Sequence, residues 1–136
     1  MGKARVLVVD DAKPIVMVID TNLRLAGYDV LTAYNGREAL QAIREHRPDC
    51  VILDIMMPEM SGWEVLEEVR ADPEIAKTQI MMLTALGDDS DISRGYELGV
   101  DMYLTKPFEP DELIEFVERV LEIGREEGLL DDDDDF

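Results

Sequence analysis

Four apolar runs in this chain each break off at a side chain able to do chemistry. Val6-Leu7-Val8-Val9 ends at Asp10-Asp11, and Val51-Ile52-Leu53 ends at Asp54. The run closing at Leu83 gives way to Thr84, and Met102–Leu104 is followed, one residue on, by Lys106 and Pro107. Singly, each has an ordinary explanation. Asp10 or Asp11 could cap a helix, Thr84 could sit in a turn, and Lys106 could be a solvated charge. Together they place three carboxylates, a hydroxyl and an ammonium at corresponding points of four segments. Clustered carboxylates repel, so one pKa must rise unless a cation intervenes. Mg2+ takes hard oxygen ligands, few of them protein carboxylates, and keeps room for water and phosphate. A lysine and a threonine beside it suit phosphoryl oxygens, and carboxylates are established nucleophiles that form aspartyl phosphates.

The elements that would gather these residues can be read from hydrophobic spacing. Strands are expected at Arg5–Val9, Asp29–Ala33, Asp49–Leu53, Gln79–Leu83 and Met102–Leu104. Helices are expected between and after them: Pro14–Leu25 with Ile15, Val18, Ile19, Leu23 and Ala26 inward, and one opened by Asn35-Gly36 with Ala39, Leu40 and Ile43 inward. A third covers Gly62–Arg70, a weakly patterned fourth runs from Asp88 to Leu98, and a fifth from Asp111 to Gly124 carries Leu113, Ile114, Val117, Val120 and Leu121. Pro14 suits a first helical turn, and Gly27 and Gly99 are natural stops. Strand–helix alternation repeated five times makes an α/β fold, a doubly wound parallel sheet covered on both faces. In such sheets ligands bind beyond the carboxyl ends of the strands, the edge where Asp10, Asp11, Asp54, Thr84 and Lys106 fall.

Composition sets outer limits. At 136 residues the chain suits one domain, and its formal charge of −19 opposes direct binding to nucleic acid or anionic lipid. Its apolar runs are too short to cross a bilayer, and the N-terminus has no signal-peptide shape. Cys50, the single cysteine, allows no internal disulfide, which agrees with a cytoplasmic setting. Residues 4–124 are read as the domain, and 125–136, with the run Asp131 to Asp135, as an acidic disordered tail. His46, Trp63 and the eight methionines are read as helix-end, packing and filler residues respectively.

Four segments taken together resemble the receiver domain of two-component response regulators of the chemotaxis-regulator type. They are Val6–Asp11, Asp54-Ile55-Met56-Met57-Pro58-Glu59-Met60-Ser61-Gly62, Leu83-Thr84-Ala85 and Tyr103-Leu104-Thr105-Lys106-Pro107-Phe108. The resemblance implies a flavodoxin-like five-stranded sheet in the order 2-1-3-4-5. It implies Asp54 as phosphoacceptor, with Mg2+ on Asp11, Asp54 and the backbone carbonyl of Met56, and Asp10 assisting. It further implies Thr84 and Lys106 as phosphoryl ligands, Tyr103 as an aromatic switch coupled to Thr84, and a cis Lys106–Pro107 bond. The implied donors are a sensor histidine kinase, a phosphotransfer protein or a small acyl phosphate. The implied outputs are a downstream protein target or a phosphorylation-linked homodimer, with the activity confined to self-phosphorylation and slow self-dephosphorylation. Met56 and Leu86 stand where faster-hydrolysing members often carry polar groups; both being apolar suggests a long-lived phosphoryl state, although packing of the two side chains in their loops explains them as well.

Three rivals are weighed. An aspartyl-nucleophile phosphatase commonly needs Asp-x-Asp after the first strand, where this chain has Asp10-Asp11-Ala12. A flavodoxin-like cofactor binder needs a small, hydroxyl-rich phosphate loop there, which Asp10-Asp11-Ala12-Lys13-Pro14 is not. A pseudo-receiver would fold alike without being phosphorylated, yet every expected active residue is present.

Overall fold

The computed structural model describes residues 3–85 and 92–128, with side chains omitted at 92–94. Five strands, β1 (Arg5–Val9), β2 (Asp29–Ala33), β3 (Cys50–Asp54), β4 (Ile80–Ala85) and β5 (Met102–Lys106), alternate with α1 (Lys13–Leu25), α2 (Gly36–His46), α3 (Gly62–Ala71), α4 (Ile92–Glu97) and α5 (Pro110–Glu126). All strands are parallel, in the order β2-β1-β3-β4-β5. That is the expected topology.

Side-chain alternation along the strands divides the core into two layers. Val6, Val8, Cys50, Ile52, Met81, Leu83 and Leu104 face α1 and α5 and pack with Val16, Ile19, Leu23, Leu113, Val117 and Val120. Leu7, Val9, Val51, Leu53, Ile80 and Met82 face the opposite layer and pack with Ala39, Leu40 and Ile43 of α2 and Trp63, Val65, Leu66 and Val69 of α3. Cys50 is fully buried, and burial pushes its thiol far above its ordinary range; it is a core residue, as expected.

The helix starts differ in how their orphan amides are met. Asn35 caps α2 by accepting from the Glu38 N–H, and Ser61 caps α3 by accepting from the Glu64 N–H. At α1 the N-cap position is Ala12, with no side-chain cap and a proline in the first turn. Neither Asp10 nor Asp11 is therefore a helix cap, which removes the ordinary explanation for that pair.

Several boundaries need correction. β3, β4 and β5 run on to include Asp54, Thr84 and Lys106, because sheet pairing depends on backbone amides and not on where apolar side chains stop. In α1, Val16 joins Ile19 and Leu23 in the core, while Val18 and Ala26 are exposed. Val18 projects at 50 % exposure, because the buried stripe follows 16, 19 and 23 and leaves 18 on the next face. The expected start of the fourth helix at Asp88, Leu86, and the tail beyond Gly128 lie outside the described residues.

Candidate metal and phosphoryl site

The carboxyl ends of β1, β3, β4 and β5 bring the expected residues to one rim. Asp10 follows β1 and is fully buried; Asp54 is the last residue of β3 and is 4 % exposed. Asp11 is exposed. One carboxylate oxygen from each of Asp10, Asp11 and Asp54 lies within 4.8 Å of the others. Among the described residues this is the grouping of acidic or imidazole ligands able to hold a metal ion.

Lys106 reaches into this group from the end of β5. Its Nζ donates to Asp10 Oδ2 at 2.9 Å and to Asp54 Oδ1 at 3.2 Å. Burial by itself would lower the lysine pKa, but the hydrogen bond to Asp10 and the charges of Asp54 and Asp10 outweigh it, and the net shift is upward. Lys106 is thus held as ammonium. The other oxygen of Asp10, Oδ1, accepts the Ala12 N–H at 2.9 Å. Both Asp10 oxygens are engaged, whereas Asp11 is exposed to solvent.

Asp54 sits in an environment that disfavours its charged form. Burial pushes its carboxyl up, Asp10 adds to the rise, and Lys106 and the Met56 N–H oppose it; the result is about 6. At neutral pH it is mainly ionised and costly to keep so. Three carboxylates against one ammonium leave excess negative charge in a partly dry recess, and the donors are all hard oxygens. A small divalent cation such as Mg2+ fits this set of hard oxygens.

The loop after Asp54 is folded tightly to keep the carboxylate in place. Gly62 N–H donates to Ile55 O at 2.9 Å and Met60 N–H to Pro58 O at 2.7 Å, while Glu59 takes a left-handed φ of 67°. A Cβ on Gly62 would collide with the Asp54 carbonyl oxygen and lie 2.9 Å from Ile55 Cα. Only glycine permits that approach of α3 to the end of β3.

Thr84 is 7 % exposed on the next strand, in register with Thr105, and Lys106 is opposite Ala85. The Lys106–Pro107 peptide is cis, as expected. Met56 has its side chain 68 % exposed, so it does not pack into its loop. Tyr103 lies in mid-β5, partly buried against the α3 layer and edge-on to Tyr96, with ring centroids 5.6 Å apart. Trp63 is buried and His46 sits at the end of α2, both as expected.

The model of the response regulator receiver domain family matches residues 6–118. Among curated relatives, the Guillardia theta protein named "Probable transcriptional regulator ycf27" is 47 % identical over 119 residues, covering 88 % of this chain and 46 % of that protein. The protein of the same name from Porphyra purpurea is 44 % identical over 119 residues, with 88 % and 48 % coverage. The chain thus spans about half the length of the curated relatives it matches. Among solved structures, the Vibrio cholerae chemotaxis protein CheY4 superposes with a TM-score of 0.82 at 38 % identity, covering 88 % of this chain and 99 % of that one. The Francisella response regulator 1452 receiver domain gives 0.80 at 36 % identity, with 88 % and 98 % coverage.

Proposed function

The chain belongs to the response-regulator receiver family of two-component signalling, and from that premise we propose that Asp54 is its phosphoacceptor, working with Mg2+ on Asp11, Asp54 and the Met56 carbonyl. The observation that carries this reading is the meeting of Asp10, Asp11 and Asp54 within 4.8 Å, with the Lys106 ammonium bridging two of them. Bound there, the cation would neutralise charge on the transferring phosphoryl group.

The chain's own residues do the rest. An Asp54 carboxylate oxygen attacks phosphorus; the new P–O bond replaces the donor's P–N bond, and the departing imidazole takes up a proton. The donor is a phosphohistidine on a sensor kinase or phosphotransfer protein, with acetyl phosphate as a small substitute. Lys106 exchanges part of its hold on Asp54 for a phosphoryl oxygen, and Thr84 offers its hydroxyl to another. Those contacts exist only after modification, as any switching effect requires. Driving a mostly inactive population to mostly active takes about 5.5 kcal/mol of preference, within reach of a few charge-assisted hydrogen bonds. Tyr103 follows Thr84 and reshapes the surface around α4, β5 and α5.

The output is a protein contact: a downstream target or a second phosphorylated copy. The curated relatives are named transcriptional regulators, but the −19 charge of this chain opposes contact with DNA phosphates by the chain itself. No helix among the described residues is long and apolar enough to cross a membrane, and the reading places the protein in the cytoplasm with its kinase partner.

Intact mass after incubation with acetyl phosphate and Mg2+ tests the assignment. The native chain gains one phosphoryl group and Asp54→Asn gains none. An adduct that persists in Asp54→Asn, or requires no divalent ion, removes Asp54 or the metal from the reading.

A further inference from the structure

Gly95 stands in the buried middle of the described part of α4, where glycine is a poor helix residue. Its backbone does not call for glycine: the glycines with positive φ are Gly27, Gly99 and Gly128. Space does. A Cβ on Gly95 would overlap the Tyr103 hydroxyl and lie 2.8 Å from Tyr103 Cζ and 3.0 Å from Trp63 Cη2. The tip of Tyr103 is thus tucked against the helix backbone, in a slot bounded by Trp63 and by the edge-on ring of Tyr96.

The helix cannot simply back away. Its C-terminal end is tied to α3 by Arg70, whose guanidinium donates to Leu98 O at 2.7 Å and Gly99 O at 2.8 Å. Trp63 is 5 % exposed and packed into the core. A tyrosine ring, unlike a helix backbone, can answer a clash by turning about its own side-chain bonds.

We propose that Gly95 is the seat of the aromatic switch: a positioning residue whose missing side chain admits the Tyr103 hydroxyl beneath α4 and so sets how readily the switch closes. The geometric half stands on the packing alone. The functional half, that seating governs phosphoryl-state affinity, rests on the receiver reading given under Proposed function.

The test is Gly95→Ala in protein labelled with fluorotyrosine. There are four tyrosines, and the Tyr103 fluorine signal is identified by its loss in Tyr103→Phe. Gly95→Ala moves the Tyr103 signal and leaves those of Tyr28 and Tyr34 in place; an unmoved Tyr103 signal overturns the seat. Urea denaturation gives a second reading that tolerates a weakened fold. Alanine at 95 lowers the midpoint in the native background and raises it in Tyr103→Ala, where the slot is empty and helix propensity decides. Equal shifts in both backgrounds overturn the proposal. Beryllofluoride titration with Mg2+ addresses function: Gly95→Ala binds several-fold more weakly than the native chain, and equal affinity shows that the seat does not govern the switch. Were the native chain to bind no beryllofluoride, the phosphorylation reading would fall, while the fluorine and denaturation results would still decide the seat.

Discussion

Two charged clusters occupy opposite ends of the same sheet, and they are built on opposite terms. At the amino-terminal ends of β4 and β5, Arg70 donates to four backbone carbonyls, those of Leu98, Ala76, Thr78 and Gly99, at 2.7 to 2.8 Å. Beside it, Asp101 Oδ2 accepts the Ile80 N–H at 2.8 Å. Each charge there is matched by backbone groups of fixed position, and together they clamp α3, the loop before β4 and the turn before β5. At the carboxyl ends, Asp10 and Asp54 share one ammonium, and the Asp11 carboxylate stands within 4.8 Å of both. A saturated cluster has nothing left to offer a ligand. An undersaturated one carries a standing electrostatic cost that a cation or a covalent charge change can relieve. Burial raises both Asp101 and Asp54 above the ordinary carboxylate range, so perturbation alone does not separate structure from function. The partners do.

The largest test of this contrast is Arg70→Met. It should cost roughly 4 kcal/mol in urea denaturation, because four carbonyls lose charge-assisted donors at once. Mg2+ affinity should stay within error of the native value. A loss of metal binding of the same order would show that the two clusters act as one.

Asp54→Asn should go the other way. Its folded pKa of about 6 lies well above the ordinary aspartate range. Below about pH 4 the carboxyl is protonated in both states and carries no penalty. Between pH 4 and 6 the unfolded chain releases the proton that the native one retains, so the native state loses relative stability as pH rises. Above pH 6 the penalty is complete, up to about 3 kcal/mol at about 1.36 kcal/mol per pH unit between the unfolded and folded midpoints. Without divalent ions, then, Asp54→Asn should be the more stable protein at pH 7.5, and the gap should shrink as pH falls toward 4. A gap that is flat with pH would break the argument for stored charge repulsion. Relief by metal is the next arm: at a hundredfold over its dissociation constant, Mg2+ should add about 2.7 kcal/mol to native stability. In Asp11→Ala that gain should largely vanish at the same concentration, and EDTA should abolish it in the native chain.

How much of this could be read from residues in order follows the same divide. The rim site was legible because each of its members interrupts an apolar run, and parallel topology sends every such interruption to one edge. Asp10, Asp54, Thr84 and Lys106 needed no coordinates to be suspected, though strand order came only with the family resemblance. Asp10 does follow β1, but Asp54, Thr84 and Lys106, expected just past their strands, lie within them for a physical reason: backbone pairing continues through a polar residue. Arg70 left no trace, since a basic residue in a last helical turn is commonplace and its four acceptors lie up to twenty-nine positions away. Gly62 entered only as a motif member and helix start, and the roles of Gly62 and Gly95 stayed hidden for a related reason. What they supply is vacant space, and only the neighbours that fill it, the Asp54 carbonyl and the Tyr103 hydroxyl, reveal the need. Val18 was misplaced because one step around a helix separates a core position from an open one.

The smallest expected effect is the sharpest in sign. Asp101→Asn removes a charge from the saturated cluster as Asp54→Asn removes one from the rim, and both carboxyls are raised by burial. If raised pKa alone decided the outcome, both substitutions would stabilise. At 101 the essential role is acceptor for the Ile80 N–H, which an amide oxygen still fills, while the favourable charge of nearby Arg70 is lost. The balance should be a loss of about 1 kcal/mol or less, with phosphorylation and Mg2+ binding untouched. Opposite signs at 54 and 101, measured under one metal-free condition at pH 7.5, would tie the rim's instability to its missing partners. Matching signs would mean that dehydration of the carboxylate is the common cause, and that the amino-terminal cluster is strained in the same way as the site.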